Sequence, residues 1–239
     1  MFKFKQFTIH QDRTAMKVGT DGVLLGAWAP IAPTAQCILD IGTGTGLIAL
    51  MLAQRYPSLN ITAIDIDKSS IEQATENIKN SPFAQYITTH HTSLQSYNPE
   101  EKYDAIVCNP PYFVASLKCP DSQRTQARHT DSLSFDELLS HSAHLLNDEG
   151  SLSVILPVTE GNQLIELAPK YGFSLTHLTE VHPTPTAPPK RLLLQFVIRN
   201  SQLNHSSLLI SHSSLTIEIA RHQYTPEYIT LTRDFYLKM

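Results

Sequence analysis

Short apolar runs alternate along the chain with stretches whose apolar residues recur every three to four positions. Residues 37–41 (Cys37, Ile38, Leu39, Asp40, Ile41), 61–65, 86–92 and 103–108 are compact apolar runs, the pattern of strands buried in a sheet. After the first, residues 47–56 are apolar at helical spacing. After the second, Ile71, Ala74 and Ile78 share one helical face behind Ser69 and Ser70, which suit its cap. A helix over 135–146 then turns Leu138, Leu139 and Leu145 inward and ends at Asn147, Asp148, Glu149 and Gly150. A strand over 151–156, a helix over 159–171 and a strand over 174–182 follow. Strands and helices in alternation imply a parallel sheet covered on both faces.

Two stretches depart from that alternation. Upstream, Thr20 or Asp21 suits an N-cap, and Val23, Leu24, Ala27 and Trp28 fall on one face of a short helix stopped by Pro30. Downstream, the Pro-rich link 182–189 joins strand 174–182 directly to the apolar run 191–198, and two strands joined without a helix pair antiparallel. The expected fold is therefore α/β, a mostly parallel seven-stranded sheet with an antiparallel terminal hairpin. A single domain spans residues 1–239, with an N-terminal segment over 1–37, a core over 38–199 and a C-terminal extension over 200–239 in which 201–219 offer further edge pairing.

Candidate chemistry sits where strands end. The first strand runs directly into Gly42, Thr43, Gly44, Thr45 and Gly46 and then the 47–56 helix, the nucleotide-binding start of a doubly wound sheet, in which glycines let the backbone approach a ligand. A dinucleotide fingerprint needs a further glycine at position 47, where this chain has leucine. The second strand ends in Asp65, where a carboxylate can accept two ribose hydroxyls. The fourth ends in Asn109, Pro110, Pro111 and Tyr112. Proline donates no N–H, so a strand ending in two prolines stops pairing and leaves its carbonyls free to face a crevice. A planar amine there would give its two N–H donors to the Asn109 side-chain oxygen and the Pro110 carbonyl while its ring stacks on Tyr112. The long polar stretch 114–130 behind this tetrad suits a substrate loop.

Composition narrows the partners. With 41% hydrophobic and 17% charged residues the chain reads as an ordinary globular protein. It has no secretory h-region and no run of about 18 apolar residues, so a cytoplasmic location is expected. Its 3 cysteines and 11 histidines show no metal-ligand spacing, so no metal is expected. The net charge is −4, but cations gather in three places: Lys3, Lys5, Arg13 and Lys17; Lys118, Arg124 and Arg128; and Lys190, Arg191 and Arg199. Brought together by the fold, Lys3, Lys5, Lys118, Arg124, Arg128, Lys190 and Arg191 would track an RNA backbone.

The glycine turn after an acidic strand resembles motif I of the S-adenosylmethionine-dependent class I methyltransferases, which have a Rossmann-like fold. The segments 7–12, 16–21, 224–228 and 234–237, with the tetrad and Ala127-Arg128, are similar to the bacterial tRNA1(Val) adenine-37 N6-methyltransferases. The resemblance implies S-adenosylmethionine as cofactor, tRNA as partner and methyl transfer to an adenine N6. It also implies that the tetrad binds the target adenine, that Asp40, Gly42, Gly44 and Gly46 flank the amino-acid end of the cofactor, and that residues 16–21, with Lys17, Gly19 and Thr20, cover it. Where that family often carries an acidic residue for the cofactor's adenine, this chain has Thr92 and Ser93. The same tetrad also occurs in protein glutamine methyltransferases, which usually carry a helical domain before motif I, and guanine-N2 rRNA methyltransferases often have Phe in place of Tyr112. A non-catalytic cofactor- or RNA-binding module is the reading from a different class.

Overall fold

The computed structural model describes residues 1–14, 16–110, 133–198 and 209–238. Pro111, Tyr112, Lys118, Arg124, Arg128 and Arg199, and the expected substrate loop at 114–130, lie outside them.

The chain opens with β1 (Phe2–Lys3) and β2 (Thr8–Ile9), a small antiparallel pair with Phe2 opposite Ile9. Helix α1 (Thr20–Trp28) follows, and its cap is Gly19 in extended backbone, not Thr20 or Asp21. Nor is α1 apolar on one face only, because Gly22 through Ala27 are all buried. The reason is the next helix: a Cβ on Gly26 would stand 2.8 Å from Met51 Sδ, so only glycine admits so close an approach.

Strand β3 (Cys37–Ile41) leads to α2 (Leu47–Arg55), β4 (Asn60–Asp65), α3 (Lys68–Lys79), β5 (Ile87–His91) and β6 (Tyr103–Cys108). The α3 cap is Asp67, whose carboxylate accepts the Ser70 N–H at 2.9 Å, rather than the serines themselves. Ile71, Ala74 and Ile78 are buried as their spacing requires. After α4 (Phe135–Leu145) comes β7 (Leu146–Pro157), then α5 (Val158–Leu167), β8 (Phe173–His182), β9 (Arg191–Ile198), β10 (Ser211–Thr216), β11 (Glu218–Ala220), β12 (Gln223–Tyr224) and α6 (Pro226–Thr232). Residues 147–150, expected as a helix-ending turn, instead form an irregular stretch within β7, where the register against β6 shifts and Glu149 adopts a φ of 63°.

Among the described residues the main sheet has eight strands in the order β10, β8, β9, β7, β6, β3, β4, β5. The seven expected from the pattern are present, and β10 adds an eighth by pairing parallel to β8. Strand β9 is antiparallel to both β7 and β8, and the other adjacent pairs are parallel. Successive residues of a strand face opposite sides, so Ile38 packs with α1 and α2 in one apolar cluster while Leu39 packs with Leu138 and Leu139 of α4 in the other. Each fully buried Leu or Ile in these clusters contributes about 1.5–3 kcal/mol, which fixes the central strands as a rigid base for the turns at their carboxyl ends.

Candidate active site

The residues that stop β3 also shape the turn after it. Gly42 and Gly44 have φ of 68° and 56°, a region where a side chain is strained, and nothing lies within 4 Å of where a Cβ would stand on either. The turn is fastened from beneath and beside. The N–H groups of Gly42 and Thr43 donate to the Ile64 carbonyl at 2.9 and 3.0 Å, and Gly44 N–H donates to Asp65 Oδ2 at 2.8 Å. Thr43 Oγ1 donates to Asp40 Oδ2 at 2.6 Å. Asn77 Nδ2 donates to the carbonyls of Thr45, at 2.9 Å, and His10, at 2.8 Å, while its Oδ1 accepts the His10 N–H at 2.9 Å. One buried amide on α3 thus joins the N-terminal segment to the glycine turn.

Register brings the fourth-strand tetrad to the same place. Ile41 of β3 pairs with Cys108 of β6, so Gly42 and Asn109 leave neighbouring parallel strands at one level, about 4.8 Å apart in the sheet. Both line a cavity of about 1040 Å³ at the carboxyl edge of the sheet. That volume lies at the upper end for a small-molecule site, enough for a cofactor and a nucleobase together. Its wall is built from four places: the glycine turn, the tip of β4 from Asp65 to Asp67, residues 92–95 after β5, and the N-terminal segment before α1. Lys190, Arg191, Pro183 and Ile217 close one side.

Of the residues singled out by sequence, Lys17, Gly19, Thr20, Gly42, Gly44, Asp65, Ser93, Asn109, Pro110, Lys190 and Arg191 all line this cavity. Asp40 does not. It is fully buried beneath the turn, off the cavity wall, where its Oδ2 accepts the Thr43 hydroxyl. Gly46 is also displaced from the wall, since it caps α2 in left-handed backbone and a Cβ there would meet Ala74 Cβ at 3.4 Å. Lys3 lies on β1 away from the cavity, and Lys5 Nζ donates to the Arg233 carbonyl at 2.6 Å, pinning the C-terminal segment. Arg191 Nε binds Asp21 Oδ2 at 2.8 Å, so this cation spans β9 and α1, and Arg13 pairs with Glu76 at 3.0 Å.

The cavity also takes residues that sequence reading passed over. Ile66, between two aspartates, is 53% exposed and offers an apolar face at the tip of β4. Gln95 Nε2 donates to Glu137 Oε1 at 3.2 Å, and both line the wall. Glu137 was findable, because Ser134 and Glu137 have capping-box spacing and the box forms.

Burial sets the protonation of the site. It pushes the Asp40 carboxyl up to about 7, against the lowering effect of the Thr43 hydroxyl. It also raises Asp65, opposed by the N–H donors of Asp67 and Gly44, whereas the Ser70 hydroxyl lowers Asp67. Buried Cys108 is pushed up and keeps its thiol proton, which removes it as a nucleophile. Among the described residues no group of three or more His, Cys, Asp or Glu is arranged to hold a metal, and no helix is long and apolar enough to cross a membrane.

Comparison with known proteins identifies the family. The profile of the methyltransferase small domain matches residues 22–167. A tRNA1(Val) (adenine(37)-N6)-methyltransferase from Parabacteroides distasonis is 52% identical over 100% of this chain and 98% of its own length. One of the same name from Flavobacterium psychrophilum is 48% identical over 100% of both chains. Among solved structures, one described as a predicted O-methyltransferase from Agrobacterium tumefaciens superimposes with a TM-score of 0.68 at 19% identity, covering 90% of this chain and 96% of that one, a likeness of fold.

Proposed function

This chain belongs to the tRNA1(Val) (adenine(37)-N6)-methyltransferases, built on a methyltransferase small domain, and we infer that it transfers a methyl group from S-adenosylmethionine to N6 of adenine 37 in that tRNA. The observation that carries this reading is the pairing of Ile41 with Cys108, which sets Asn109 beside the glycine turn in one cavity.

The donor set suits the cofactor. When bound, S-adenosylmethionine supplies a methyl group on a positively charged sulfur, already electrophilic. The open backbone at Gly42 and Gly44 admits a ligand without a Cβ in the way. Asp65 accepts the Gly44 N–H on Oδ2 and the Asp67 N–H on Oδ1, and a carboxylate has about four acceptor sites, which leaves acceptor capacity for ribose hydroxyls. Ser93 and Gln95 offer polar groups to an adenine beside the apolar Ile66 and Leu94, and Lys17, Gly19 and Thr20 cover the site from the N-terminal side.

Asn109 Oδ1 and the Pro110 carbonyl would be the two acceptors for the two N–H groups of an exocyclic amine. An adenine N6 lone pair is delocalised into the ring and is a poor nucleophile. Two acceptors that bend the amine towards a tetrahedral shape localise that pair on nitrogen. No strong base is needed before transfer, and the surplus proton leaves afterwards, so alignment and exclusion of water provide most of the acceleration. The target base must leave its stack, at about a few kcal/mol, less in an anticodon loop than in a duplex.

Incubation with radiolabelled donor and unmodified tRNA1(Val) transcript is the test. Label is expected at N6 of adenine 37 and is lost when that base is replaced by guanine. Label on rRNA or on a release-factor glutamine, with none on tRNA, contradicts the reading.

A further inference from the structure

The hairpin of β11 and β12 has no role in the chemistry above, yet it stands at the cavity rim. Its base is fastened there by three backbone bonds: Ile217 N–H to the His182 carbonyl at 2.9 Å, Glu218 N–H to Pro183 at 3.0 Å and Thr225 N–H to Ile217 at 3.0 Å. Ile217 and Pro183 line the cavity beside Lys190. From this anchor the strands pair antiparallel, Glu218 opposite Tyr224, around an exposed turn of Arg221 and His222, with His222 at a φ of 64°.

What the hairpin presents is unusual for so small an element. Ile219 is 57% exposed and Tyr224 is 37% exposed, the latter leaning on Tyr228 at 5.2 Å between ring centroids. Two strands of two and three residues cannot bury these side chains against each other, and an isolated hairpin of this size is marginal in water. An aromatic ring and an arginine are groups that stack on unpaired bases and meet their phosphates, and an exposed apolar side chain beside them can pack against a base. The occupant must lie within reach of a base entering the cavity, because Ile217 and Pro183 at the hairpin base line that cavity together with Lys190 and Arg191.

We propose that the β11–β12 hairpin is an RNA-docking surface that grips single-stranded nucleotides flanking the target base, with Tyr224 as the stacking face, Ile219 as an apolar contact and Arg221 as the phosphate contact. The inference rests on the tRNA reading above and adds a surface to it. It is distinct from the glycine turn and tetrad, because none of the hairpin residues from Ile219 to Tyr224 lines the cavity.

The test uses the full chain carrying Arg221→Glu together with Ile219→Ser, both on exposed positions, with unmodified tRNA1(Val) transcript as substrate. KM for tRNA is expected to rise by about tenfold or more while Kd for S-adenosylmethionine stays within about twofold. As a second measurement that needs no variant, transcript carrying 4-thiouridine in the anticodon loop is expected to crosslink to the peptide 218–224 of the wild-type protein. A wild-type enzyme that is active on tRNA, with unchanged KM in the variant and no crosslink in that peptide, overturns the inference and leaves a protein contact as the use of the surface. A wild-type enzyme that methylates no tRNA overturns the reading beneath it, and the hairpin inference falls with that reading.

Discussion

Asp65 Oδ2 accepts the Gly44 N–H at 2.8 Å, so the carboxylate at the tip of β4 holds the turn at the tip of β3. One side chain therefore shapes the backbone cradle and borders the cavity at once. Asp65→Ala removes a charge-assisted bond to the turn and a carboxylate from the cavity wall together. The expected result is a Kd for S-adenosylmethionine weakened by about 10- to 100-fold in calorimetry, with Asp65→Asn falling between.

Asn77 makes three hydrogen bonds while 1% exposed. Asn77→Leu strands the N–H and C=O of His10 and the carbonyl of Thr45 without their partner. Urea denaturation is expected to show a loss of about 2–4 kcal/mol, with weaker cofactor binding because the glycine turn loses its tie to the N-terminal segment. Unchanged stability would mean that the amide holds neither.

The Asp40 carboxyl titrates at about 7 in the fold because burial penalises its charge. In the unfolded chain it titrates near about 4, so across this window the native state holds a proton that the unfolded state has released. The contribution of Asp40 to wild-type stability is therefore expected to fall as pH rises from about 4 to about 7 and to level off above. Asp40→Asn lacks that loss, so its stability relative to wild type grows between about pH 4 and about pH 7 in urea titrations and is constant above. Parallel curves would remove the buried-acid account.

Binding of tRNA is expected to weaken steeply with salt despite the net charge of −4, since phosphate contacts release counterions. Lys190 is exposed and lines the cavity, and Lys190→Ala is expected to lower the log–log salt slope by about one. A flat salt dependence in filter binding would count against a phosphate-tracking rim.

The parts of this fold that rest on local pattern were legible in advance. The apolar runs at 37–41 and 103–108 marked β3 and β6, and their turn chemistry marked the ends that now share a cavity. Depth and long-range pairing were not legible. Spacing placed Asp40 next to the turn but could not say that its carboxylate points under it, because strand alternation leaves either face open until packing decides. Arg191 read as a free cation because its partner, Asp21, lies 170 residues away. The Asn147 to Gly150 stretch has turn composition, and it interrupts the β6–β7 pairing between Leu146 and Ser151 rather than ending the strand, with the Asn147 side chain bonded to Asp104 of β6. Lys5 likewise looked like part of a basic patch until the Arg233 carbonyl came to meet it.

The claim on which the mechanism turns is that the Asn109 amide activates an exocyclic amine beside the cofactor cradle. Single-turnover methylation of unmodified tRNA1(Val) by Asn109→Ala, with Kd for S-adenosylmethionine measured in parallel, tests it directly. The expected result is a rate lower by about 100-fold or more with cofactor affinity within about threefold of wild type. Turnover equal to wild type would contradict the claim.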